Sequence, residues 1–185
     1  MTALTNPSPI FSIALFLLML CSFATCTHAQ DRPVLLPEEI KHLLPEKIEG
    51  FTPDGKATTR LVKIGTLSYS LVERSFRKSK SRIKILLFDY NNALIMYNQA
   101  TGKWKSLPTI ESDSLVSRYV ELPDYIGRET SNKVNGTSQI LLGVNNRFYL
   151  TLAGQQVGLE MLRSIIELVD LARFPRTAID NPKSR

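Results

Sequence analysis

The chain has 185 residues, enough for one domain with a substantial core, and carries 23 Lys and Arg against 17 Asp and Glu, a formal net charge of +6. Its only cysteines, Cys21 and Cys26, and one of its two histidines fall before residue 30. A chain beginning at Gln30 would therefore have no thiol, disulfide or cysteine metal centre, and one imidazole, so a transition-metal site would need several carboxylates.

Ile10 to Phe23 (IFSIALFLLMLCSF) is an apolar run of 14 residues followed by Ala24-Thr-Cys-Thr-His-Ala29. The run falls short of the about 20 residues that a transmembrane helix needs. Thr27 and Ala29 supply the small side chains that a signal peptidase prefers ahead of its cut. We expect residues 1–29 to be a cleaved signal peptide, although Met1 to Pro9 holds no Lys or Arg. That places the protein outside the cytoplasm, periplasmic or secreted. Two alternatives stay open: an uncleaved N-terminal anchor, and lipid attachment at Cys26, whose preceding Phe23-Ala24-Thr25 fits the usual pattern poorly.

Residues 30–176 are expected to form a single α+β domain. Pro37 to Leu44 is predicted as a short helix, with proline in its first turn and Glu38 and Glu39 against the positive end of its dipole. Pro45 ends it. Glu46 to Gly55 then reads as a loop pinned by Ile48 and Phe51. A weakly patterned strand is predicted near Thr59–Ile64. Leu67–Phe76 and Ile83–Tyr90 alternate as an antiparallel pair joined by the basic stretch from Arg77 to Arg82. Residues 91–104 fit a helix whose Ala93, Leu94, Tyr97 and Trp104 share a side. Leu115–Leu122 and Tyr125–Val134 are predicted strands separated by Pro123-Asp124.

Thr137–Val144 and Arg147–Leu152 should form a hairpin about Asn145-Asn146, since Asn tolerates positive φ in a two-residue turn. That register sets Leu141 opposite Leu150 and Gly143 opposite Phe148, and makes theirs the core face. After Gly154 the period becomes helical, with Met161, Leu162, Ile165, Ile166, Leu168, Val169 and Ala172 on one broad face until Pro175. Residues 177–185 are expected to be a flexible tail. The expected architecture is a mainly antiparallel five- or six-stranded sheet with a long C-terminal helix and one or two shorter helices packed on it.

The stretches Leu43-Leu-Pro-Glu-Lys-Ile-Glu-Gly-Phe51, Ile64-Gly-Thr-Leu-Ser-Tyr69 and Leu142-Gly-Val-Asn-Asn-Arg-Phe-Tyr-Leu150 carry a resemblance. Their order resembles a loosely defined family of uncharacterised exported bacterial proteins, in which such an opening precedes a basic or polar hairpin and a late strand before the final helix. The resemblance spans most of residues 43–171, implies export and a single domain, and brings no assigned reaction. At fold level alone the plan is similar to PsbP-like sheet-and-helix modules.

Chemistry-bearing groups are sparse. His42 sits on a short surface helix, and no nucleophile-elbow glycine pattern supplies a serine for it. Glu111-Ser-Asp113 is too small an acidic group for a hard cation. We assign no catalytic residue, metal ligand or cofactor. What stands out is basic: Arg74, Arg77, Lys78, Lys80, Arg82 and Lys84 lie within 11 residues around one hairpin tip. Arg77, Lys78, Lys80 and Arg82 are the candidate anion-docking residues, for anionic envelope components or an acidic protein. A solubilising hairpin tip that discourages edge pairing is the plainer reading of the same residues. Nucleic acid is disfavoured, because no aromatics interleave the charges. The expected function is an exported, non-enzymatic binding or envelope-associated module. The alternative is a hydrolase-type enzyme using only carboxylate, Tyr and Lys groups.

Overall fold

The computed structural model describes residues 34–123 and 125–176. The expected signal peptide over 1–29, Cys21 and Cys26 within it, and the tail over 177–185 lie outside the described residues. Those described form nine strands: β1 (Thr52–Pro53), β2 (Thr58–Ile64), β3 (Leu67–Lys78), β4 (Ser81–Asn92), β5 (Ile110–Glu111), β6 (Leu115–Leu122), β7 (Tyr125–Asn132), β8 (Thr137–Val144) and β9 (Phe148–Gln155). Between and after them come α1 (Pro37–Lys41), α2 (Leu94–Thr101), α3 (Leu159–Leu168) and a 3₁₀ turn, Leu171–Arg173. No helix among the described residues is long and apolar enough to cross a membrane.

All nine strands belong to one antiparallel sheet. Its order is β1-β3-β4-β9-β8-β7-β6-β5, with β2 sharing with β1 the outer edge of β3. Two meanders, β3–β4 and β5–β9, are thus sewn together by β4 against β9. Alternation sends Val72, Phe76, Ile83, Ile85, Leu87, Leu150 and Leu152 to one face, all nearly inaccessible. That face is covered by Ile40 of α1, by Leu44 and Ile48 of the following loop, and by Leu162, Ile165 and Ile166 of α3. Each such side chain contributes about 1.5–3 kcal/mol when fully buried.

The expected division into a five- or six-stranded sheet and a long C-terminal helix is wrong. Among the described residues 47% are strand and 18% helix, so the protein is sheet-dominated, and α3 has ten residues. The apolar pattern runs on past Leu168, but Val169 turns extended (φ −85°, ψ 104°) and the Asp170 carboxylate accepts the Ala172 N–H at 3.1 Å, capping the 3₁₀ turn. Phe174 then tucks edge-on against Phe148 at 5.0 Å between ring centres. Val169 and Phe174 are buried in this extended strap, 3% and 2% exposed, while Met161 and Leu168 stay 39% and 55% exposed.

The strands of the basic hairpin also run further than expected. They continue through the polar connector to Lys78 and Ser81, leaving Ser79-Lys80 as the turn, with Ser79 at φ 53°. The β8–β9 register is displaced by one residue from the sequence reading. Asn145 and Asn146 do take φ 53° and 50°, but Leu142 faces Leu150 and Gly143 faces Tyr149. Arg147 belongs to the turn, drawn back to Asp89, so Ile140, Leu142 and Val144 join Phe148 on the core face.

On the opposite face α2 covers one end of the sheet. Ala93, Tyr97 and Trp104 are buried there, over an aromatic group of Tyr69, Phe88, Tyr90 and Tyr149. Gly143 makes this close approach possible: a Cβ on it would lie 2.5 Å from the Tyr97 hydroxyl. The other end of that face has no helix over it among the described residues.

Candidate functional site

The basic hairpin is the place to begin, because strand alternation divides its charges between the two faces of the sheet. Arg77 and Arg82 stand directly opposite each other and both project to the open face, with Lys84 one step further along β4. Lys78 projects to the other side, its ammonium 5.9 Å from the centre of the Phe51 ring, and Arg74 points the same way. Lys80 occupies the turn. Of the four candidate docking residues, the fold therefore unites Arg77 and Arg82 and parts them from Lys78.

Around Arg82 and Lys84 the open face forms a depression of about 460 Å³. Its floor follows from register. Ser75, Lys84, Ala153, Gln139, Thr130 and Ser117 stand in one row across β3, β4, β9, β8, β7 and β6. Arg77, Arg82, Gln155, Thr137 and Asn132 form the next row outward. Asp54 closes the β3 side, held there by its own N–H to the Ser75 carbonyl at 2.8 Å. Gln139, Gln155, Thr130 and Thr137 escaped the sequence reading. Their only sequence signal is a polar residue at an outward-facing strand position, and that parity depends on register.

The ionic pairs in the groove are solvent-accessible. Arg82 Nη1 reaches Asp54 at 3.1 Å, Arg77 Nε lies 3.8 Å from the same carboxylate, and Lys84 Nζ meets Glu73 at 2.7 Å. Three cations against two carboxylates leave one positive charge in excess. Each pair is solvent-accessible, and such pairs contribute only about 0–1 kcal/mol, so an incoming anion can replace the resident carboxylate at little cost. Amide and hydroxyl groups beside them donate and accept hydrogen bonds without carrying charge.

Elsewhere the ionisable groups are settled. Burial pushes the phenols of Tyr90 and Tyr97 up to about 12. Glu129 is held below the ordinary carboxylate range, chiefly by hydrogen bonds from Arg163, which reach it at 2.9 and 2.7 Å. Both displacements lead away from neutrality. His42 is exposed at the C-terminal end of α1, and Glu111 and Asp113 are exposed beside β5. Among the described residues no three His, Cys, Asp or Glu side chains are placed to hold a metal ion. The chain matches no family model, no curated protein and no solved structure, so the residues themselves carry the functional argument.

Proposed function

We propose that this is an exported, non-enzymatic binding module whose open sheet face takes an acidic, hydroxyl-rich ligand such as a carboxylated envelope polysaccharide. The carrying observation is the groove: Arg82 and Lys84 set among Gln139, Gln155, Thr130 and Thr137 on one polar surface that no helix covers among the described residues. Charge draws the carboxylate, and the amides and hydroxyls exchange hydrogen bonds with sugar hydroxyls. A flat membrane would meet the rim of such a depression and leave those amides unused. The apolar N-terminal run followed by Thr27 and Ala29 motivates export.

Titration calorimetry of the full chain with polygalacturonate, and with uncharged dextran beside it, tests the reading. Polygalacturonate should bind, weaken as salt screens the charges, and lose affinity for the Arg82→Ser, Lys84→Ser double variant. Dextran should show no heat. Equal binding of both polymers, or equal affinity of wild type and variant, would overturn the proposal.

A further inference from the structure

Among the described residues the least accessible guanidiniums sit in well-filled hydrogen-bond sets, with one exception. Arg147 makes two bonds to a carboxylate. Arg128, 7% exposed, gives its donors to Ser117 Oγ and to the carbonyls of Trp104, Leu107 and Pro108. Arg74 differs. Its side chain is 12% exposed, yet its one hydrogen bond among the described residues runs from Nη2 to the Lys41 carbonyl at 3.3 Å, and its Nε is buried without a partner. The nearest carboxylate, Glu46, is 3.7 Å away on a side chain that is 68% exposed. A cation withdrawn from water with donors left over is costly unless something completes its shell.

Arg74 lines the cavity between the 46–57 loop and β3, on the sheet face opposite the groove, with a volume of about 690 Å³. Lys47 and Lys56 stand at its mouth, and neither has an acidic partner among the described residues. Lys41 also lines it but is tied to Glu38 at 3.0 Å. With that pair set aside, Lys47, Lys56 and Arg74 line the cavity against Glu46 and Glu49, and Lys78 adds a cation beside it over Phe51. The surplus is two positive charges. Phe51, Pro53 and Ala57 give the same cavity an apolar rim.

We infer that this cavity is a second binding site, for a phosphate monoester carried on an apolar group, with Arg74 at the base and Lys47 and Lys56 closing over the phosphate. A phosphate monoester bears close to two negative charges at neutral pH and three acceptor oxygens, which matches the surplus and the idle donors. The rim of Phe51, Pro53 and Ala57 receives the esterified group. The site is independent of the groove reading, since it shares no lining residue with the groove and lies on the other face.

The experiment titrates the full chain with inorganic phosphate and with short-chain, water-soluble phosphatidic acid, using the matching phosphatidylcholine as control. The Arg74 Nε–H resonance, assigned by its loss in Arg74→Lys, gives a readout besides affinity. Phosphatidic acid should bind at one site, shift that resonance, and lose at least about tenfold in affinity in the Lys47→Ala, Lys56→Ala double variant. Arg74→Gln should abolish binding. Should Arg74→Gln fail to fold, the lysine variant decides alone, because both lysines are exposed. Arg82→Ser, Lys84→Ser should leave the shift of the Arg74 resonance intact, which separates this site from the groove. Equal affinity for inorganic phosphate and phosphatidic acid would identify free phosphate as the source and overturn the apolar part of the inference. No binding of either, an unmoved Arg74 resonance, or unchanged affinity in the lysine variant would overturn the site.

Discussion

Arg147 reaches back from the turn before β9 to Asp89 of β4, giving Nε to Oδ1 at 2.7 Å and Nη2 to Oδ2 at 2.6 Å. The two side chains are 7% and 0% exposed. The same carboxylate accepts the N–H groups of Leu35 and Asn91 at 2.7 and 3.0 Å, so it joins the N-terminal lead, the end of β4 and the turn. Removing one partner of a buried pair leaves a desolvated charge, at a cost of about 3–5 kcal/mol. Arg147→Met should lower stability by that amount in urea unfolding. The double variant Asp89→Asn, Arg147→Met should be more stable than Arg147→Met alone. A single-variant loss below about 1 kcal/mol would mean that the pair does not hold the register.

Gly143 and Tyr97 form a second interlocked pair. Gly143→Ala would place a methyl 2.5 Å from the Tyr97 hydroxyl, and overpacking of this kind costs about 1–3 kcal/mol. Adding Tyr97→Phe removes the clashing oxygen and should restore part of the loss. Strictly additive effects in thermal unfolding would argue that helix α2 does not sit over this strand.

Glu129 makes stability depend on acid pH. Because Arg163 and Arg118 hold its carboxyl below the unfolded value, its contribution is complete above about pH 4.3 and disappears as pH falls through the folded pKa. Glu129→Gln should therefore be less stable than wild type at neutral pH, and the gap between their urea midpoints should narrow on acidification. A gap that stayed constant with pH would count against the ion-paired carboxylate.

Phe148 and Phe174 meet edge to face in the core, 0% and 2% exposed. Truncating either ring to Ala should cost about 3–5 kcal/mol. Phe174→Ala carries an added signature: amide hydrogen exchange should quicken over residues 172–176, where the ring and the Asn145 side chain on the Phe174 carbonyl tie the strap down. Unchanged exchange there would show that the strap is held by something other than the ring.

What the sequence revealed depended on how local the cause was. Leu115–Leu122 and Thr137–Val144 are legible to the residue, because Pro123-Asp124, Asn135-Gly136 and Asn145-Asn146 punctuate them. The β8–β9 register is not, since its parity rests on whether Arg147 counts as turn or strand, and Asp89, far back in the chain, decides that. The end of α3 is hidden for a similar reason: Leu168 and Val169 continue the helical period, while the competing attractions are an Asp170 cap and a ring on another strand. β1 and β5 have two residues each and exist only through their partners. The basic run could be seen at once, but its division between faces, and the glutamines and threonines that share a groove with Arg82, follow from the order of strands.

That order has a further consequence for how the chain matures. β9, the last strand among the described residues, is not an edge but lies between β4 and β8, with Arg82 opposite Gln155 and Asp89 opposite Phe148. Until Gln155 has been synthesised, β4 lacks the full neighbour it pairs with from Arg82 to Asp89. Loop-closure entropy must be met before so distant a pairing returns any energy, which makes the closing step slow. The β4–β9 seam that joins the two meanders therefore closes only after β9 has been made.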